Sequence, residues 1–152
     1  MSSRDRYVHV VTSFIMYNSR VLILRRSDRV RSMKGKWAGI SGYIEEGEMD
    51  EHGILERAYR EIEEETGISR DRLVLVRRCS IVYAYEQDTT WVVHPFLFLL
   101  KVPTVIRLDW EHDAYEWIES KRLEEYDTVP MLKEALECCM KGLTETDIDI
   151  SL

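Results

Sequence analysis

The sequence predicts an α/β fold, a mixed sheet covered by helices on both faces. Three observations predict it. Segments rich in β-branched and aromatic residues fill the chain up to residue 45. A helix with an apolar face follows over residues 54–66, and a second strand-rich region then runs to a closing helix ending near Lys141. At 152 residues, 45% hydrophobic and 32% charged, the chain is expected to form one domain over residues 1–152 with a substantial core.

Tyr7–Tyr17 reads as a strand, Asn18-Ser19 as a turn and Val21–Leu24 as the returning strand. Residues 25–36 form a basic loop, in which Arg25, Arg26, Arg29, Arg31, Lys34 and Lys36 face a single Asp28. Arginine makes bidentate contacts with phosphate oxygens, and Arg25 is the leading candidate for an anionic substrate. A solvated loop that balances an acidic neighbour is the competing reading. Trp37–Glu45 is expected to be a short strand entering an acidic turn.

After the helix, Leu73–Tyr85 and Trp91–Leu100 are expected to form a hairpin, turning at residues 86–90. Its aromatic residues, Tyr83, Tyr85, Trp91, Phe96 and Phe98, fill the core or stack a nucleobase. Val105–Leu108 and Tyr115–Ile118 read as short strands on either side of Glu111-His112-Asp113. Ser120 caps a short helix, Thr128-Val129-Pro130 opens the last one, and the acidic tail beyond Leu143 frays.

Charge is distributed unevenly. Residues 1–44 carry +7, residues 45–65 carry −8 and residues 66–152 carry −6, within a net charge of −7. At about 100° per residue from Ile54, the residues Ile54, Leu55, Ala58, Tyr59 and Ile62 share an apolar face. Glu61, Glu64 and Glu65 line one edge of that face, three and four residues apart. Like charges so placed repel, and Glu64 and Glu65 occupy the wrong end of the helix dipole for anions. A hard divalent cation, Mg²⁺ or Mn²⁺, resolves the conflict with oxygen ligands. A glutamate-rich face alone is more often a solvated surface. Here the acids flank the apolar face, Arg60 immediately precedes them, and a glycine-containing acidic turn lies upstream.

Arg60-Glu61-Ile62-Glu63-Glu64-Glu65-Thr66-Gly67-Ile68 resembles the second half of the Nudix box, and Gly42 with Glu48 resembles the first half. Trp37–Gly42, Arg25-Arg26 and Glu111-His112 followed by Trp117 also resemble segments of this MutT-type hydrolase family. Two departures stand out. Eleven residues, in place of the family's seven, separate Glu48 from Arg60, and Ile40-Ser41 replace the usual Pro-Gly. The four extra residues make about one helical turn. They either extend the helix backwards or enlarge the loop, and Gly53 favours the loop.

The resemblance implies an α/β/α sandwich and a metal-dependent hydrolase cleaving a diphosphate linkage in a nucleoside diphosphate derivative such as a nucleoside triphosphate, ADP-ribose or a dinucleoside polyphosphate. It implies Glu61, Glu64, Glu65 and the Gly42 carbonyl as metal ligands, and Arg60 as the group that orients a glutamate. Glu61 or Glu64 would act as the base, with Glu111 an open third choice. Arg25, Glu48 and Glu111 are the candidate substrate contacts. A nucleotide-sensing or partner-binding module and a diphosphate isomerase are the alternative classes.

The expected partner is a small nucleotide. A chain of net charge −7 argues against general nucleic-acid binding, and a homodimer is left open. No apolar run reaches the roughly 20 residues of a membrane helix. No secretory leader is read at the N-terminus, and Cys79, Cys138 and Cys139 read as reduced thiols, so a cytoplasmic location is expected.

Overall fold

A computed structural model describes residues 6–86 and 88–144 of the chain. The acidic tail beyond residue 144 and Gln87 of the hairpin turn lie outside the described residues. Two long strands form the centre of the sheet, β1 (Arg6–Tyr17) and β7 (Thr89–Leu100). They pair in parallel from Arg6↔Thr89 to Met16↔Leu99. Both are almost continuously buried over their C-terminal halves, as strands covered on two faces must be.

The remaining pairings are antiparallel, which makes the sheet mixed. β2 (Arg20–Arg26) returns beside β1 through Asn18-Ser19, with φ of 51° and 63°. Two successive positive φ values are what a tight hairpin turn requires. Outside β2 lie β3 (Trp37–Ala38) and β8 (His112–Ile118), and β4 (Ile40–Tyr43) pairs with β1. Trp37–Glu45 is therefore two strands with different partners, divided at Gly39.

The expected long strand 73–85 is also two, β5 (Leu73–Arg78) and β6 (Val82–Glu86). Both pair with β7, at Arg78↔Phe96 and Val82↔Val93 on either side of the gap. Pro95 lies opposite the gap. Its carbonyl accepts from Cys79 N at 3.0 Å, but proline has no N–H to return, and the ladder breaks there.

Helix α1 (Glu51–Thr66) covers one face of the sheet and α2 (Leu132–Met140) the other. Ile54, Ala58 and Ile62 pack with Val11, Ile15, Phe96 and Phe98 in the first core. Leu132, Ala135, Leu136 and Cys139 pack with Phe14, Met16, Leu97 and Leu99 in the second. This is the α/β/α sandwich. All three cysteines are free, and Cys79 contacts Cys138 across the second core. Among the described residues no helix is long and apolar enough to cross a membrane.

α1 begins earlier than the apolar pattern indicated. Asp50 caps it by accepting from Gly53 N at 2.6 Å, which places Gly53 inside the first turn. The four extra residues therefore extend the helix backwards and do not enlarge the loop. At the other end Gly67 takes φ 78° and its N–H returns to Glu63 O. Residues 105–108 form no strand. Arg107 N instead donates to Thr66 O at 2.8 Å, and Ile106 and Leu108 cover the first core. That crossing delivers residues 109–112 to the C-terminal end of α1.

A candidate metal centre at the mouth of a cleft

The four-residue spacing of α1 aligns Gly53, Arg57, Glu61 and Glu65 in one column. Glu65, at the lower end, is 1% exposed; its carboxyl shares a hydrogen bond with Glu61 and has no other hydrogen-bond partner among the described residues. Burial, then the charge of Glu61, pushes its pKa well above the usual carboxylate range. Glu61 is raised chiefly by burial, partly offset by hydrogen bonds with Glu65 and then Arg57. Glu64 is exposed on the adjacent stripe.

Residues 109–112 face this column. Ser27 N donates to Glu111 O at 2.8 Å and Ser27 Oγ to Trp110 O at 2.9 Å, which fixes the segment against the basic loop. Asp109, Glu111 and His112 each offer a ligand atom within 4.8 Å of the others. His112 is buried, with Nδ1 3.0 Å from Asp109 Oδ1 and Nε2 3.8 Å from Glu65 Oε1. Burial, then Asp109, raises Glu111.

Gly42 closes the other side. An added Cβ there would overlap the Glu61 carboxylate, so backbone and acid meet at a distance that only glycine allows. The residues present fit a hard divalent cation. The donors are oxygens, several are desolvated, and Arg57 neutralises Glu48 and Glu61 without reaching the buried Glu65.

The sequence candidates separate in three dimensions. Gly42, Glu61, Glu64, Glu65 and Glu111 line a common cleft of about 650 Å³. Arg25 does not line it. Arg25 Nε donates to Asp113 Oδ1 at 2.8 Å, while Arg26 and Arg31 face the cleft. Glu48 is occupied by Arg57 at 2.6 and 3.0 Å and by Glu45 N at 2.9 Å, and Arg57 above all holds its pKa below the ordinary value. Arg60 is 56% exposed, and its ion pair among the described residues is with Glu48, at 3.7 Å. Asp109 and Arg57 were missed. Arg57 was legible as the residue four before Glu61, whereas nothing in the local sequence ties Asp109 to α1.

The cleft runs from this acidic end along the α2 face of the sheet. Thr12, Ser41, Tyr43, Trp91 and Val93 line its floor, and residues 129–132 line its wall. The Tyr43 and Trp91 rings lie 6.1 Å apart, and the Trp91 indole N–H is buried without an acceptor among the described residues. Of the aromatic hairpin, Phe96 and Phe98 are core, Tyr83 and Tyr85 are exposed, and Trp91 reaches the cleft.

A NUDIX domain model matches residues 7–137, and the chain belongs to the Nudix family. It is 31% identical to the mouse asymmetrical bis(5'-nucleosyl)-tetraphosphatase over 131 residues, which are 84% of this chain and 82% of that protein. Among solved structures it is similar to a MutT protein from Methanosarcina mazei Go1, with TM-score 0.73, 24% identity and coverage of 90% and 94%. A C. elegans Ap4A hydrolase gives TM-score 0.68 at 18% identity, with coverage of 87% and 93%. The chain is a Nudix pyrophosphohydrolase.

Proposed function

We propose that this hydrolase cleaves a dinucleoside polyphosphate asymmetrically, with Mg²⁺ or Mn²⁺ held by Glu61, Glu64, Glu65 and the Gly42 carbonyl. The observation that carries the reading is the buried Glu65 carboxyl packed against Glu61 at the end of a nucleotide-sized cleft. The likeness to the mouse tetraphosphatase supports the substrate class. The bound ion would supply charge neutralisation and polarisation of a phosphoryl oxygen.

The protein's own groups position the rest. Arg26 and Arg31 face the cleft where further phosphates of a polyphosphate chain would extend. Tyr43 and Trp91 offer a platform for a base, with the Trp91 N–H as donor. Glu111 is the carboxylate we assign to the attacking water. Its burial raises its proton affinity toward that of a useful base, and it stands outside the α1 column. Water adds to one phosphorus, the bridging P–O bond breaks, and the proton from water passes to Glu111. A tetraphosphate bridge then yields a nucleoside triphosphate and a nucleoside monophosphate.

Product analysis of diadenosine tetraphosphate hydrolysis tests this. ATP and AMP are expected, whereas two molecules of ADP, or no cleavage alongside rapid hydrolysis of simple triphosphates, would overturn the substrate assignment. Trp91→Ala is expected to raise KM about tenfold with a smaller effect on kcat, as steady-state kinetics on the same substrate would show.

A further inference from the structure

We infer that the group that positions Glu61 is Arg57, in the second turn of the lengthened α1, and not the arginine adjacent to the glutamate. The inference rests on the proposed metal centre. Arg57 has a side chain only 10% exposed. It donates through Nε and one terminal nitrogen to Glu48 at 3.0 and 2.6 Å, and through the other to Glu61 Oε2 at 3.0 Å. One planar fork thus joins the loop acid to the helix acid. Glu48 Oε1 also accepts from Glu45 N, so the clamp fixes the turn that follows Gly42.

The extended turn makes this geometry possible. Gly53, one turn before Arg57, stands so close to the Glu48 backbone that a Cβ would lie 2.5 Å from Glu48 O. Glycine there lets the loop lie against the helix, and the next residue in the column meets the Glu48 carboxylate. Arg60 points elsewhere in the helical turn and is largely solvated. Arg57 is a positioning residue: it touches the proposed ligand, not the substrate.

The test compares R57A, R57K and R60A with the parent protein. Mn²⁺ affinity is measured by electron paramagnetic resonance, and kcat and KM are measured separately. Loss of such an outer partner costs about 10–100-fold in metal affinity or activity. R57A is expected to weaken Mn²⁺ binding at least tenfold and to lower kcat with KM within about twofold. R57K should recover part of the loss, because an ammonium cannot span both acids as a fork. R60A should weaken Mn²⁺ binding at least fivefold less than R57A.

Equal effects of R57A and R60A, or a larger effect of R60A, would overturn the inference while leaving the metal centre standing. A parent protein that binds no Mn²⁺ and hydrolyses nothing would overturn both. If circular dichroism shows R57A unfolded, E48Q decides. It leaves the guanidinium in place but loosens its anchor, and it must weaken Mn²⁺ binding more than R60A does.

Discussion

Replacing Glu65 with glutamine is expected to lower turnover by about two to four orders of magnitude, while making the metal-free protein more stable at neutral pH. The two effects have one origin. A carboxylate that is 1% exposed and packed against the charge of Glu61 is a poor site for a second negative charge. Its folded pKa lies well above the ordinary 4.5, so the folded state retains a proton that the unfolded chain has lost. The stability this confers is fully present below pH 4.5 and disappears as pH rises through the folded pKa.

Glutamine stays neutral throughout. Metal-free E65Q should therefore match the parent protein near pH 4 and show a higher urea midpoint near pH 8. Saturating Mg²⁺ should reverse the order at pH 8, because a ligand bound only by the folded parent stabilises it through mass action. Unchanged turnover in both E65Q and E64Q would remove the metal assignment.

Gly42→Ala carries the second large effect. The added methyl would occupy the position of the Glu61 carboxylate, so that side chain must leave the place where Arg57 holds it. Overpacking of this kind costs about 1–3 kcal/mol, and displacing Glu61 should reduce kcat about a hundredfold. Gly47, in the acidic turn that follows β4, is the control. A Cβ there meets nothing within 4 Å, so G47A should leave both melting temperature and kcat unchanged. Equal behaviour of the two alanine variants in thermal melts and kinetics would contradict the close packing of Gly42 on Glu61.

Local sequence carried much of this structure. The edge placement of Glu61, Glu64 and Glu65 follows from helical geometry, and Gly67 ends α1 in the left-handed conformation its position suggested. Contacts set by tertiary structure were less visible. Val105–Leu108 has strand composition, yet its backbone is drawn to the free carbonyl at the end of α1, and that crossing brings Asp109 and His112 to Glu65. The split between β5 and β6 depends on Pro95 in a different strand. Gly53 suggested a loop because glycine is a weak helix former. Its place in the helix reflects the close Glu48 backbone, a contact invisible to propensity. The basic loop misled for a similar reason, since Asp113 across the sheet occupies Arg25 and leaves Arg26 and Arg31 facing the cleft.

In the proposed mechanism, hydrolysis depends on a divalent cation held at the end of α1. Turnover of diadenosine tetraphosphate by the purified protein, followed through chelation and then restoration of Mg²⁺, tests it most directly. Activity that vanishes with chelator, returns with Mg²⁺ and remains absent in E64Q throughout is the predicted result. Turnover that persists in chelator, or that E64Q retains at the parent level, would contradict it.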